Sequence, residues 1–379
     1  MINKIKYIML TLSVCGLFVF SLYAIQSSVY VKRIDSLNLS LEEKWKQALS
    51  SRDEKIDPDS FWIVYTIEKL MGDGSNIRMC NCDEENVDLE FILYGKSNAE
   101  TTRNNGNGMK IVKDKNQVYI KDGKKEIKVI KKLALLFHTD REGKIMEVNF
   151  ASLDSKICFK GSSIIWLGEF GDVESLNFLK KIYKDVSSEK IQEGIIAALA
   201  NHQTTSEIIP FLKDVIKNTS DESLRVSTIF WFGTCTDEKN LDFLEGLALN
   251  DKNKKAREQA VFAIYISKTD NNIDSLIKIA KESNNMKIKK EAVFWLGQSK
   301  SDRIAETLSD IIQDDSEVEL QKSAVFALSQ NCNDSSIQKL INIAHTHKNK
   351  NIRREAIFWL GQMDNEKAVD AIIKLAEED

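Results

Sequence analysis

Apolar and polar positions in the C-terminal part of the chain repeat with a nearly constant period. Seven equivalent anchor positions define the register, at Trp166, Ala198, Trp231, Ala263, Trp295, Ala327 and Trp359. A constant period of roughly 32 residues is typical of a solenoid, in which each copy forms one layer of a stack. The C-terminal part is therefore expected to be a stack of repeats and not a compact domain.

Each copy contains two apolar stretches at helical spacing. The first has apolar residues seven and two positions before the anchor and directly after it, and the second has them thirteen and sixteen positions after it. In the copy anchored at Trp295 these residues are Ile288, Val293, Leu296, Leu308 and Ile311. Such offsets follow one side of a helix with 3.6 residues per turn. The pattern therefore predicts a first helix and a second helix in every copy.

The repeat motif is clearest at residues 352–362, which read IRREAIFWLGQ. Close matches to it occur at residues 291–298 (EAVFWLGQ) and 323–330 (SAVFALSQ). This layout resembles the HEAT-like repeats of the phycobilisome-lyase type, over about residues 158–379. The resemblance implies a mainly α fold, a right-handed α-solenoid of about seven two-helix repeats. It also implies that the first helices lie on the convex side and that the second helices line a concave surface.

Long hydrogen-bond donors occupy the position six residues before each anchor. The resemblance implies that the arginines there are elements of repeat stacking, namely Arg225, Arg257 and Arg353. The alternative interpretation is a basic ladder for a polyanion. Two of the seven positions hold glutamine, which suits hydrogen bonding better than attraction of a phosphate.

Tryptophan and alanine alternate at the anchor positions, which doubles the period. The tryptophans are Trp166, Trp231, Trp295 and Trp359. A row of tryptophans suits carbohydrate stacking, but each of these has apolar neighbours on a predicted helix. Large side chains opposite small ones in adjacent layers fill a core without voids. We therefore expect the indoles to be buried between repeats.

Residues 29–58 are predicted to form a linker and an amphipathic helix. The composition of residues 59–157 then predicts a small antiparallel β-rich module. Two strand-like runs flank Asp122-Gly123, and two more flank residues 140–143. An Asp-Gly pair between alternating runs is a strong signal for a hairpin. Residues 61–67 and 89–94 have the same strand-like composition. This module resembles those that precede such repeats in some exported bacterial proteins.

The N-terminal residues 1–28 have the pattern of a signal peptide or a membrane anchor. Two lysines precede the uncharged run from Ile8 to Ile25, and a basic start before an apolar run is typical of an export signal. The sequence thus predicts an exported protein, periplasmic or in the cell envelope, that is membrane-anchored or secreted. In such an oxidising compartment a disulfide of Cys158 with Cys80 or Cys82 is expected.

Charge and composition narrow the set of partners. The formal net charge is −4 and the pI is near 5.8, which argues against a nucleic-acid partner. The segment Lys110–Lys132 holds nine lysines and three acidic residues, a local charge of +6. A face for an anionic envelope polymer is one interpretation of this segment. The solvated side of an edge hairpin, where lysines prevent unwanted strand pairing, is the other.

Known catalytic, cofactor and metal motifs are absent from the sequence, so the sequence predicts no cofactor and no metal. We expect a non-enzymatic scaffold that binds a protein partner through a concave solenoid face. The positions of residues around the predicted second helices indicate which side chains are exposed and able to bind the partner. These candidates are Lys180, Lys213, Glu245, Lys278, Asp310 and Lys374. The likeness to lyase proteins leaves an enzyme or enzyme subunit as the alternative, with Cys82 or His138 as the reactive residue.

Overall fold

The structure is a computed structural model of the chain. It describes residues 29–36, 38–51, 55–57, 59–72, 77, 87–95, 117–121, 124–159, 162–267, 269–299, 303–314, 317–331 and 333–378. The chain divides into two compact units, residues 1–208 and 209–379. The first unit contains the strands and the helices up to about residue 208. The second unit consists of helices.

Eight strands are described in the first unit. They are β1 (Val31–Arg33), β2 (Ser60–Gly72), β3 (Val87–Asp88), β4 (Gln117–Lys121), β5 (Lys124–Asp140), β6 (Ile145–Ser152), β7 (Lys156–Ile157) and β8 (Ser163–Glu169). Six of them form a mixed sheet in the order β1-β8-β2-β5-β4, with β6 also paired to β5. Strands β3 and β7 form a separate antiparallel pair.

Strand β8 corrects the predicted start of the helical repeats. Its residues, which include Trp166, were expected to form the first helix of the first copy, but they pair in parallel with β1 and β2. The sheet is therefore mixed and not purely antiparallel. A short, continuously apolar run such as Ile164–Leu167 is compatible with a buried strand or a buried helix. Pairing on both sides places this run inside the sheet as a strand, and the helices of the repeat region begin only at Asp172.

The two predicted hairpins are confirmed, with one change. Strand β4 pairs antiparallel with β5, and β5 pairs antiparallel with β6. The two runs predicted on either side of residue 131 are one strand of 17 residues, because β5 continues along the whole length of β2. Residues 89–94, which resemble a strand in composition, form a helix that Asp88 caps through a hydrogen bond to the Phe91 amide.

Fifteen helices are described. They are α1 (Leu41–Ser50), α2 (Leu89–Tyr94), α3 (Asp172–Asp185), α4 (Glu189–Ala200), α5 (Thr205–Asn218), α6 (Glu222–Cys235), α7 (Leu241–Asn250), α8 (Lys254–Ile266), α9 (Asn272–Glu282), α10 (Met286–Gly297), α11 (Arg303–Asp314), α12 (Val318–Gln330), α13 (Asp334–Thr346), α14 (Lys350–Gly361) and α15 (Glu366–Glu378). From α4 onward they alternate as first and second helices of HEAT-like repeats. The protein is thus mainly α, with a small mixed sheet.

None of these helices is long and apolar enough to cross a bilayer. The predicted signal peptide or anchor, residues 1–28, lies outside the described part of the chain. The amphipathic helix predicted within residues 29–58 is α1. Its Trp45 ring packs edge-on against Phe137 of the sheet and Phe178 of α3, with centroid distances of 5.1 Å.

A buried polar chain joins the sheet to the helices of the first unit. Tyr65 of β2 lies 2.8 Å from the Ser175 hydroxyl, which in turn lies 2.8 Å from Nε2 of His202. Nδ1 of His202 lies 2.9 Å from the Ala198 carbonyl oxygen. Because a carbonyl oxygen only accepts, Nδ1 donates and Nε2 of the neutral ring accepts. The Ser175 hydroxyl therefore donates to His202, and the Tyr65 hydroxyl donates to Ser175.

Glycines explain the alternation of tryptophan and alanine in the second unit. A Cβ atom on Gly297 of α10 would lie 2.8 Å from the Cα, Cβ and carbonyl oxygen of Ala327 in α12. Gly233 of α6 meets Ala263 of α8 in the same way, at 2.7 Å. Two small residues thus let these helix backbones touch. The step between α8 and α10 is filled instead by the Trp295 ring, which stacks on Tyr265 at 4.6 Å.

Two glycine-to-alanine substitutions test this close approach. We expect Gly297→Ala to destabilise the protein by about 1–3 kcal/mol, since the added methyl group overlaps the α12 backbone. Gly246→Ala is the matched control, because a Cβ atom at Gly246 of α7 meets no atom within 4 Å. It should stabilise by up to about 1 kcal/mol, the difference in helix propensity. Urea unfolding followed by circular dichroism measures both, and an unchanged midpoint for Gly297→Ala would refute the packing argument.

The His202 network predicts a dependence of stability on pH. Burial lowers the pKa of His202 below its ordinary value. As the pH falls through about 6.5, the unfolded chain binds a proton that the folded chain does not, so stability is present above this pH and is lost below it. We expect a lower Tm at pH 5.5 than at pH 7.5. His202→Gln should make this pH difference smaller; an equal difference in both proteins would contradict the assignment.

Candidate protein-binding surface

The first helices line the inner side of the repeats in residues 209–378. Successive first helices contact each other more extensively than successive second helices do. In a curved stack the closer neighbours lie on the inner side, because the layers fan outward from it. The expectation that the first helices lie on the convex side is therefore wrong in this unit. The backbone contacts at Gly233 and Gly297 account for the difference, since the first helices carry them.

A row of phenylalanines runs along these first helices, one residue before each anchor. Its members recur once in every repeat and are Phe230, Phe262, Phe294, Phe326 and Phe358. We call these five residues the phenylalanine row. None of the five is buried, and Phe294 and Phe358 are exposed. Exposed aromatic side chains in a regular series are unusual on a protein surface unless they bind something.

Some phenylalanines of the row pack against aromatic rings of the next first helix. Phe230 stacks on Phe262 with a centroid distance of 6.1 Å, and Phe262 packs against Trp295 at 4.8 Å. Phe326 likewise packs against Trp359 at 4.8 Å. The step from α10 to α12 has an alanine anchor, Ala327, as the step from α6 to α8 has Ala263, but its two phenylalanines line a cleft and do not stack. The backbones touch at one point of this step, and a cleft opens beside it.

This cleft has a volume of about 590 Å³ and lies between α10 and α12. Its lining residues are Met286, Lys287, Lys290, Glu291, Phe294, Ser323 and Phe326. Two phenylalanines and a methionine supply the apolar surface, and lysine, glutamate and serine surround it. Binding sites commonly combine an apolar lining with a few polar groups that fix orientation.

Ion pairs between neighbouring first helices hold the charged side chains at the cleft. Lys287 Nζ lies 2.5 Å from Oε1 of Glu258, and the hydrogen bond to this carboxylate raises the pKa of Lys287. Lys290 Nζ lies 3.8 Å from a carboxylate oxygen of Glu319. The Trp295 indole donates to Glu291 at 3.1 Å. The two lysines at the edge of the cleft are therefore paired with carboxylates of the neighbouring first helices.

The four tryptophans are found in two settings. Trp166 is buried within the sheet on β8, where the Tyr94 ring packs against it at 5.4 Å, so it takes no part in repeat stacking. Trp231, Trp295 and Trp359 lie on first helices and are half-buried. Their rings pack against aromatic neighbours, and Trp359 donates to Glu355 at 3.0 Å. These three indoles are less buried than the sequence pattern predicts, because part of each ring is exposed to solvent.

The three arginines bond to groups at or near helix ends. Arg225 donates from Nε to the Ile216 carbonyl at 2.8 Å and forms an ion pair with Asp251. This pair lowers the pKa of Asp251. Arg257 and Arg353 donate to backbone carbonyl oxygens in the loops preceding their own helices. Each arginine thus satisfies backbone groups at a helix end.

The six candidates on the second helices have different environments. Lys180 pairs with Glu207 at 3.2 Å, Lys213 donates to Asn240 at 2.6 Å, and Lys278 pairs with Glu245 at 2.7 Å. Glu245, expected to be exposed, is buried. Asp310 and Lys374 are exposed. Four of the six therefore form links between neighbouring second helices, and a role of these residues in binding stays a prediction.

Several predicted sites fall wholly or partly outside the described residues. Cys80 and Cys82 do, so the disulfide with the buried Cys158 stays a prediction. Part of the basic segment Lys110–Lys132, residues 110–116 and 122–123, does as well. Of its last lysines, Lys131 pairs with Asp154 at 3.1 Å, and Lys132 pairs with Glu169 and lies 4.7 Å above the Tyr94 ring.

Cys82 and His138 are the two residues predicted as reactive if the protein is an enzyme, and Cys82 lies outside the described residues. His138 stacks on Trp62 with a centroid distance of 4.6 Å. Ser175 and His202 have the contact of a nucleophile and a base, but both are buried, and Asp172 bonds to Thr204 and Gln203. A substrate has no access to this pair, so its role is structural. Within the ranges that the structure describes, no group of three metal-binding side chains occurs.

Comparison with known proteins agrees with the repeat register. Residues 352–378, which span α14 and α15, match the PBS lyase HEAT-like repeat. The chain therefore contains HEAT-like repeats. No curated protein sequence matches the chain. The phenylalanine row was not among the predicted sites, although its recurrence once per repeat is present in the sequence.

Two solved structures show limited likeness to the chain. Human deoxyhypusine hydroxylase is 12% identical over 54% of this chain and 74% of that chain, with a TM-score of 0.28. The complex of CpcE and CpcF of phycocyanin lyase from Nostoc sp. PCC7120 is 16% identical over 49% of this chain and 98% of that chain, with a TM-score of 0.23. At these scores the likeness carries no argument about the activity of this chain.

Proposed function

We propose that this protein is a non-enzymatic scaffold that binds a partner protein along the first helices of residues 209–378. The phenylalanine row is the observation that carries this proposal. It presents aromatic side chains at regular intervals on the inner side of a repeat stack. Stacked repeats generate extended concave surfaces of this kind, which bind protein without a catalytic cavity.

The cleft between α10 and α12 is the centre of the proposed interface. Phe294 and Phe326 form its apolar walls, and Lys287 and Lys290 lie at its edge. Buried aromatic and aliphatic anchors supply most of the affinity in protein interfaces, and charged groups at the rim contribute to specificity. We expect the partner to insert an apolar side chain into the cleft and to place hydrogen-bonding groups near the charged residues at its edge.

Site-specific photo-crosslinking tests this interface. We replace Phe294 by p-benzoylphenylalanine in one protein and Asp310, an exposed residue of α11, in a control protein. After irradiation in cells of the source organism, we expect a discrete adduct from position 294 that position 310 does not form. The protein recovered from the adduct is then purified, and its Kd for the wild-type chain is measured.

Phe326→Ser is the decisive variant for that measurement. Phe326 forms the opposite wall of the cleft, so its loss should weaken binding of the purified partner at least tenfold, while Asp310→Ala should leave the Kd unchanged. Circular dichroism verifies that the variant is folded. An unchanged Kd for Phe326→Ser, or the same adduct from both positions, would disprove the proposed interface.

We also propose that the scaffold acts outside the cytoplasm, on the basis of the basic and then apolar order of residues 1–25. A fusion of residues 1–60 to alkaline phosphatase, which is active only after export, tests this in a bacterial host. We expect activity from this fusion and none from a fusion that begins at residue 29. Equal activity of the two fusions would rule out export by this segment.

A further inference from the structure

Trp359 of α14 repeats the surroundings of Trp295 in α10, which lies two repeats earlier. Each indole donates to a glutamate four residues before it, Trp295 to Glu291 at 3.1 Å and Trp359 to Glu355 at 3.0 Å. A phenylalanine of the preceding first helix packs against each indole at 4.8 Å. The phenylalanine directly before each tryptophan packs edge-on, at 4.9 and 5.1 Å. The two tryptophans are thus held in the same way.

One ring contact of Trp295 is missing at Trp359. The Tyr265 ring of α8 stacks on the Trp295 indole, with a centroid distance of 4.6 Å and an angle of 26° between the rings. The equivalent residue of α12 is Ser329, which has no ring. Among the described residues, no aromatic side chain stacks on Trp359 from that position. The missing ring would belong to the preceding repeat, so its absence is independent of any residue after α15.

A cavity of about 320 Å³ lies at this place, between α12–α13 and α14–α15. Ser329 and Trp359 both line it, together with the apolar side chains of Ile337 and Met363. Its exposed lining residues are all polar, and Gln362 is one of them. A flat ring with two apolar faces and a single polar group matches such a lining, in which few polar groups fix the orientation.

We propose that this cavity binds a phenolic ring, which stacks on Trp359 as Tyr265 stacks on Trp295. The Tyr265 hydroxyl lies 3.5 Å from the carbonyl oxygen of Gln298. Gln362 is the equivalent residue at the cavity. The hydroxyl of the bound ring therefore donates to the Gln362 carbonyl.

The lining favours a phenol over a sugar. The hydroxyl groups of a pyranose surround its whole ring, and each needs a hydrogen-bond partner once it is buried. The apolar side chains of Ile337 and Met363 supply none. A phenolic ring can be a free molecule or the tyrosine side chain of another protein. The cavity shares no lining residue with the cleft between α10 and α12, and the proposal does not depend on the function proposed above.

Fluorine NMR of the full-length chain labelled with 5-fluorotryptophan tests the site. Each of the six tryptophans gives one resonance, and the Trp359→Phe variant identifies that of Trp359. We expect p-cresol to shift this resonance saturably with a Kd of about 1 mM, which the small size of the probe allows. The Trp295 resonance should not move, because Tyr265 already covers the equivalent face.

Ser329→Tyr is the decisive variant, because it supplies the missing ring from the chain itself. The Kd of p-cresol should rise at least tenfold. Ser206→Tyr, at an exposed position of α5, is the matched control and should leave this Kd unchanged. Conversely, Tyr265→Ser should make the Trp295 resonance respond to p-cresol.

Two further probes distinguish the classes of ligand. Tighter binding of N-acetyltyrosinamide than of p-cresol supports a tyrosine of another protein as the ligand, and equal or weaker binding supports a free phenol. The proposal is overturned if neither phenol shifts the Trp359 resonance saturably, or if Ser329→Tyr binds p-cresol as wild type does. Tighter binding of methyl glucoside than of p-cresol at Trp359 would overturn it as well.

Discussion

Backbone contact between first helices is the constraint on which the repeat stack depends. At Gly233 and Gly297 there is no room for a Cβ atom, because the alanine of the next first helix occupies that space. The helices can approach this closely only where both residues are small. The alternate steps are wider, and an aromatic pair such as Tyr265 and Trp295 fills them. The alternation of tryptophan and alanine anchors in the sequence thus corresponds to an alternation of wide and close spacing between successive first helices.

This arrangement also produces the candidate binding surface. The close contacts draw the first helices together on one side, so their phenylalanines form a row on the inner side of the unit. Where a wide step occurs, a tryptophan fills the space beside the row. At the close step between α10 and α12 a cleft lies between Phe294 and Phe326, whereas Phe230 stacks on Phe262 at the close step between α6 and α8. Packing inside the repeats therefore decides where a partner has access.

The first unit shows how the sheet ends the repeat pattern. Strand β8 keeps the apolar composition of a first helix but pairs with β1 and β2, and its Trp166 joins the core of the sheet. The buried chain from Tyr65 through Ser175 to His202 then connects β2 with α3 and with the turn after α4. Each member of this chain has a hydrogen-bond partner, as buried polar groups require. The serine and histidine resemble a catalytic pair in distance alone.

The sequence by itself determined the HEAT-like repeat, its register from the second copy onward and both hairpins, because periodic apolar positions and turn residues act locally along the chain. It also contained the phenylalanine row as a regular column. Only the tertiary structure decided that residues 163–169 form a strand, since an apolar run takes its form from the elements that pair with it. The same holds for the inner position of the first helices and the half-burial of Trp295. These depend on how closely two helices approach, and that distance is set by pairs of residues that belong to neighbouring repeats.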